Sequence, residues 1–165
     1  MNRTIIIQKA KDCSCGTKNY PIDVYAICEH VGIQIIPSDF EILEDKVGLK
    51  IDAVLQVNAG KITIKLNNEM LSSFARYAIG QCLGHYFLHL NGKQIIAVFR
   101  NNKNVMATEA QLFAQHLLIP RAQLYKAYRE LVIPTVSSLA QKFQVPEVAV
   151  RERITELGDP DLSVI

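Results

Sequence analysis

The stretch YAIGQCLGHYFLHL, residues 77–90, constrains the fold more than any other part of this 165-residue chain. Its apolar residues recur with helical spacing, and a Gly-His pair at positions 84 and 85 is followed one turn later by His89. Asn91-Gly92 comes directly afterwards and is typical of a helix end. The pattern predicts a central helix that begins near residue 69 and ends near Leu90.

Residues 81 and 85 lie on one face of that helix because they are four positions apart. Two histidines at this spacing can hold one Zn²⁺, and a glutamate beside the first can act as general base on the metal-bound water. Here the first position is Gln81 and the next is Cys82. A neutral amide is a poor zinc ligand, and a thiol cannot replace a glutamate as general base in the same geometry. The helix therefore has the spacing of a zinc site without its full set of functional groups.

The chain before this helix predicts short elements. Residues 1–19 are irregular or a frayed helix, residues 21–32 a helix with Pro21 in its first turn, residues 33–37 a strand, and residues 53–67 a hairpin. Asn58-Ala59-Gly60 supplies the hairpin turn. The candidate N-caps of the central helix are Asn67, Asn68 and the pair Ser72-Ser73.

The chain after the central helix predicts one strand and several helices. Residues 94–100 read as a strand, and residues 104–120 as a second amphipathic helix that ends at Pro120. Residues 121–165 are helical, and two short helices near the end have helix-turn-helix rhythm. This tail carries six basic and six acidic residues, whereas a DNA-binding face needs a cationic surplus. The balance favours a packing module over a DNA-binding one.

Composition narrows the class of protein. The apolar fraction of 49% is enough for a core, and the net charge of +2 predicts no strong nucleic-acid or membrane partner. There is no run of about 18 apolar residues and no signal-peptide pattern, so we expect a cytoplasmic protein with reduced cysteines. Cys13 and Cys15 are expected to be free thiols in a loop, and metal or redox behaviour is the alternative.

Taken together, the two helices resemble the ImmA/IrrE family of zinc metallopeptidases. The similarity extends over roughly residues 20–158 and includes the tail LAQKFQVPEVAVRERITELG. An ordered set of residues carries it: Arg76, Leu83, Gly84, His85, Tyr86, Leu88, His89, Glu109, Ala110, Phe113, Ala114, Leu117, Leu118 and Pro120. The family has a His-Glu-Leu-Gly-His helix, followed by a helix that supplies the third zinc ligand.

The resemblance implies a role for each matching position. His85 matches the second zinc histidine and Glu109 the third ligand, while Gln81 stands in place of the first zinc histidine and Cys82 in place of the catalytic glutamate. Gln111 replaces the asparagine usual in the family. One of three ligands and the general base are thus missing together, so we expect no catalytic residue and no bound metal.

The implied fold is α+β, with a small twisted sheet packed on a zincin-like helix pair and a helix-turn-helix-like tail. Residues 1–19 form an N-terminal segment, residues 20–120 the metallopeptidase-like domain, and residues 121–165 a helical extension packed on it. The implied function is that of a catalytically inactive regulatory protein of a phage or mobile element. It binds a protein partner such as a helix-turn-helix repressor, because an intact groove with an exposed strand edge can still take an extended peptide.

Three alternatives stay open at this point. Cys82 and His85 are three positions apart, so with Glu109 they form the ligand set of a rebuilt zinc site in a divergent protease. His85 and Glu109 are otherwise a metal-free hydrogen-bonded pair, and His89 a buried helix residue with satisfied hydrogen bonds. The third alternative is a DNA-binding regulator that uses the tail.

Overall fold

The computed structural model describes residues 1–14, 20–90, 92, 94–100, 102–159 and 162, so the prediction for Cys15 lies outside the described residues. Within them there are eight helices: α1 (Arg3–Cys13), α2 (Val24–His30), α3 (Glu41–Val47), α4 (Ser72–His89), α5 (Val105–Leu118), α6 (Arg121–Glu130), α7 (Val136–Phe143) and α8 (Glu147–Leu157). The strands are β1 (Ile33–Ser38), β2 (Ile51–Asn58), β3 (Lys61–Asn67) and β4 (Ile95–Phe99). The predicted α+β class is confirmed.

The four strands form one mixed sheet in the order β1-β3-β2-β4. The predicted hairpin is confirmed as β2 and β3, which pair antiparallel. Ala59 and Gly60 turn the chain with φ angles of 48° and 79°, in the left-handed region that two-residue hairpin turns require. β1 pairs parallel with β3 at one edge, and β4 pairs antiparallel with β2 at the other.

Helix α4 lies at the centre of the fold, between the sheet and α5. It is buried around most of its circumference, and Ile79 and Leu83 are fully enclosed with Leu55 of β2. The predicted helix is confirmed, but its predicted N-caps are wrong, because Leu71 holds the N-cap position without a side-chain hydrogen bond. The Asn67 side chain instead donates to the carbonyl of Ile51 at 3.0 Å, where it ties the two ends of the hairpin together.

The N-terminal segment is an ordered part of the core. Helix α1 packs against α5 and α4 and buries Ile6 and Ala10, so the prediction of an irregular or frayed segment is wrong for residues 3–13. Lys9 Nζ donates to the carbonyl of Phe87 at 2.7 Å and so contacts the last turn of α4. A cation at this end of a helix is favourable because the last carbonyls lack helical partners.

Helix α2 begins later than the sequence predicts. The Asp23 carboxylate accepts hydrogen bonds from the backbone amides of Tyr25 and Ala26, each at 3.0 Å, and fixes the start of the helix at Val24. The prediction that Pro21 stands in the first turn is therefore wrong. Helix α3, which ends at Gly48 with a φ of 67°, was not predicted.

The tail is held together by capping and by buried apolar side chains. Thr135 and Ser138 form a reciprocal capping box at the start of α7, and Gln144, at a φ of 53°, turns the chain toward α8. Leu139, Phe143 and Val150 pack in the core with residues of α5 and α6. In the part of the chain that the structure describes, no helix is both long enough and apolar enough to cross a membrane.

Candidate functional site

A groove of about 330 Å³ runs along α4, between β4 and the first half of α5. Its volume falls in the range of ligand sites, roughly 300–1,000 Å³. Apolar side chains form much of its wall, and they include Phe74, Ile95, Ile96, Val98 and Met106. Polar groups from three helices face it as well, and they are Tyr77, Gln81, His85, Gln111 and Glu152. We call this the α4 groove.

Strand β4 presents an unpaired edge to this groove. Gln94 O accepts from Val57 of β2, and the backbone amide of Arg100 donates to Lys50, so residues 94 and 100 both face β2. Backbone groups of successive residues in a strand point to opposite sides. The amide and carbonyl of Ala97 therefore point to the outer edge, which no strand of the described sheet covers.

Close packing of α4 on α5 sets the distance between the predicted site residues. A Cβ atom added at Gly84 would lie 2.9 Å from both Cα and the carbonyl oxygen of Ala110. Only a glycine permits this approach, because carbon atoms in ordinary contact are about 3.5–4.0 Å apart. The crossing brings Glu109, the neighbour of Ala110, opposite the last two turns of α4.

A chain of hydrogen bonds joins the two helices at this crossing. His85 Nδ1 lies 3.0 Å from His89 Nδ1, and His89 Nε2 lies 2.7 Å from Glu109 Oε2. Glu109 Oε1 also accepts from the terminal amine of Met1. The hydrogen bond from that amine, followed by the one from His89, lowers the pKa of the Glu109 carboxyl below its usual range. His85 and Glu109 are thus joined through His89, and Gln81 is not part of this chain.

Cys82 lies in the core. Its side chain is fully buried, and it does not line the α4 groove. Burial, with smaller contributions from Cys28 and Asp52, raises the pKa of the Cys82 thiol far above its usual range. Because the thiolate is the form that binds metals and attacks carbonyls, we expect this thiol to be unreactive in the folded protein.

The donors at the crossing do not fit a catalytic zinc ion, which needs three protein ligands and an open position. Within the described ranges, no three His, Cys, Asp or Glu side chains converge as such a site requires. Gln81 contributes an amide, Cys82 is enclosed in the core, and Glu109 is bonded to His89.

A second polar cluster lies where α8 meets α5. Gln111 and Gln115 both donate to Glu152 Oε2, at 2.5 and 3.0 Å. The Tyr77 hydroxyl is buried close to these three side chains and to the Glu152 charge, yet it reaches hydrogen-bond geometry with none of them. Burial is the main cause of a strongly raised pKa at Tyr77, and the Glu152 carboxylate adds to it.

Helix α8 is anchored by a buried ionic cluster away from the groove. Arg153 is 1% exposed, and its Nε donates to the carbonyl of Ile119 at 3.0 Å. Its Nη1 lies 3.1 Å from His116 Nε2 and also bonds Glu156, which pairs with Arg3 of α1 as well. Burial, assisted by the charge of Arg3, lowers the pKa of His116 to about 4. The neutral imidazole can therefore accept from Arg153.

Sequence reasoning left two of these residues without a functional role. His89 was expected to be a buried helix residue with satisfied hydrogen bonds, and it is in addition the direct partner of Glu109. Glu152 was not a candidate, although it stands four positions after Val148, and both line the groove. That spacing occurs on most surface helices, so the sequence alone carries no signal that distinguishes Glu152 from its exposed neighbours.

The chain matches a protein-family model over most of its length. The sequence model of Peptidase_M78, described as the IrrE N-terminal-like domain, matches residues 28–155. The match covers α4 and α5 in full and α8 as far as residue 155, and so includes every side chain named above for the α4 groove. A comparison with curated proteins finds no match.

Proposed function

Because the chain belongs to the Peptidase_M78 family, the ImmA/IrrE peptidases, we propose that it is a regulatory protein that retains the family's groove and has lost its peptidase chemistry. One observation carries this proposal. Gln81 faces the α4 groove at the position where the resemblance expects the first zinc histidine, and the adjacent Cys82 is sealed in the core. Neither residue can supply the ligand or the general base that metal-assisted hydrolysis needs.

The protein works by holding an extended segment of a partner protein against β4. The outward amide and carbonyl of Ala97 offer main-chain hydrogen bonds, and the α4 groove beside them receives side chains. By its resemblance to the family, the partner is a helix-turn-helix repressor, and the protein serves a phage or mobile element in the cytoplasm. The tail's equal numbers of basic and acidic residues support protein binding over DNA binding.

Metal analysis tests the loss of chemistry. After dialysis against dilute chelator, the purified protein is expected to hold well under one zinc per chain and to leave a fluorogenic peptide library uncleaved. Gln81→His, which returns the missing imidazole, is the positive control and should bind zinc more tightly than the parent. A ratio near one zinc per chain that His85→Ala abolishes would overturn the proposal and favour the divergent protease with Cys82, His85 and Glu109.

Peptide selection tests the binding role. Peptides selected from a random display library on the intact protein should bind through β4, so Ala97→Pro, which removes the outward amide, should weaken them strongly. Proline is tolerated at an edge strand, and this substitution leaves the ladder to β2 intact. Ala97→Ser keeps the amide and serves as the matched control. If the selected peptides bind both variants equally well, the partner does not bind along the outer edge of β4.

A further inference from the structure

Three side chains that line the α4 groove each have a polar atom without a hydrogen-bond partner among the described residues. The amide of Gln81 forms no hydrogen bond there, and the hydroxyl of Tyr77, a residue 8% exposed, forms none either. Glu152 receives both of its hydrogen bonds on Oε2, which leaves Oε1 without a donor. Gln81 and Glu152 are half-buried, so water can reach them, whereas the Tyr77 hydroxyl is enclosed. A buried polar group is normally paired, so this unpartnered hydroxyl beside two open acceptors indicates a ligand that supplies the missing donor.

The charges around the groove define that ligand further. Asp52 and Arg100 pair with each other at 2.7 Å, so they neutralise one another. Lys103 lies exposed at the groove and forms no ion pair with a described residue. Glu152 forms no ion pair with a described residue either, so its carboxylate is open to a cation, which is worth more beside apolar walls than in open water. Gln111 and Gln115 fix the carboxylate in place but carry no charge.

We propose that the α4 groove selects a partner segment by its arginine side chain, which pairs with Glu152. This inference rests on the proposed function, and it specifies which side chain the bound partner segment must carry. A guanidinium has five donors and no acceptor, and the groove offers three acceptors: Glu152 Oε1, the Tyr77 hydroxyl oxygen and the Gln81 amide oxygen. An ammonium is a more strongly hydrated point charge, so lysine binds less well than arginine. The flanking Phe74 and Met106 pack on the aliphatic stem.

Titration with capped amino acids tests the pairing directly. The probes are N-acetyl-arginine methylamide and its citrulline counterpart, which has nearly the same shape but no charge. Two-dimensional NMR on the intact protein should show arginine binding at least tenfold tighter than citrulline. Glu152→Gln should reduce that ratio to near one, and Tyr77→Phe should reduce it partly. Glu147→Gln, on the exposed side of the same helix, is the control and should leave the ratio unchanged.

The outcomes separate this inference from the proposed function. Peptides that bind in an Ala97-dependent manner but show no arginine enrichment and no dependence on Glu152 would overturn the inference alone. Arginine selectivity that depends on Glu152, without any extended peptide that depends on Ala97, would overturn the proposed binding mode and keep the arginine site. No detectable arginine binding at the highest soluble concentration, or equal affinity for both probes in the unaltered protein, would also overturn the inference.

Discussion

Replacing Gly84 with alanine should destabilise the protein by crowding the crossing of α4 and α5. The added Cβ would lie 2.9 Å from backbone atoms of Ala110, whereas ordinary carbon contacts are about 3.5–4.0 Å, so α5 must withdraw by roughly 0.6 Å or more. Overpacking of this kind costs about 1–3 kcal/mol. Alanine in a helix returns about 1 kcal/mol relative to glycine, so the net loss in the free energy of unfolding is about 0–2 kcal/mol.

Gly80→Ala isolates the crowding because it makes the same change one turn earlier in α4. Its new Cβ would meet Leu118 Cδ1 at 3.1 Å and Ala114 Cβ at 3.2 Å, and the end of a leucine side chain can move aside. The helix gain is equal in both variants and cancels, and Gly80→Ala has a smaller crowding cost of its own. Gly84→Ala should therefore be less stable than Gly80→Ala, by up to about 3 kcal/mol in urea unfolding. If Gly84→Ala proves at least as stable as Gly80→Ala, then α4 and α5 do not approach each other at Gly84 and Ala110 as closely as described, and Glu109 is not positioned by that contact.

Two further outcomes follow from buried titratable groups. The pKa of His116 is lowered to about 4 in the folded protein, so protonation of this residue favours the unfolded chain. The stability that the neutral imidazole contributes is lost as the pH falls from about 6.5 toward 4. His116→Gln should therefore reduce the drop in the urea unfolding midpoint between pH 7 and pH 5. His30 is exposed, so His30→Gln is the control. An equal drop in the urea midpoint of the parent, His116→Gln and His30→Gln would refute the assignment of this pH dependence to His116. Burial raises the pKa of the Cys28 thiol to about 12 and that of the Cys82 thiol further. In a variant that carries Cys13→Ser and Cys15→Ser, neither remaining thiol should therefore react with a maleimide at pH 8 until urea unfolds the chain. Rapid labelling of the native variant would show that the core around α4 is open.

Periodicity was enough to locate the central helix, the hairpin and the second helix, because each has a repeated pattern that packing reinforces. It failed at the N-terminal segment, where Ile6 and Ala10 become buried only because α5 lies beside them. The start of α2 was missed for a local reason, since the Asp23 carboxylate determines it more strongly than the ring of Pro21 does.

Some residues of the candidate site could likewise be predicted from the sequence, and others could not. Spacing and resemblance located Gln81, His85 and Glu109 because all three belong to recurring motifs. The partner of Glu152 depends on which turn of α8 meets α5, and that meeting is set by the enclosure of Arg153 against the carbonyl of Ile119. Such a contact between residues 34 positions apart leaves no periodic trace in the sequence.

Helix α8 contributes Val148 and Glu152 to the wall of the α4 groove, so the groove is complete only when the tail is packed against the two central helices. A shuffled gene that joined residues 20–120 to a different tail would retain the sheet edge but lose the carboxylate. Such a chimera would present Tyr77, Gln111 and Gln115 to water, and under the proposed pairing it would lose the preference for arginine. Under the same proposal, substitutions in α8 alone would change the preference for the partner's side chain, while the sheet edge, the two central helices and the hairpin stay the same.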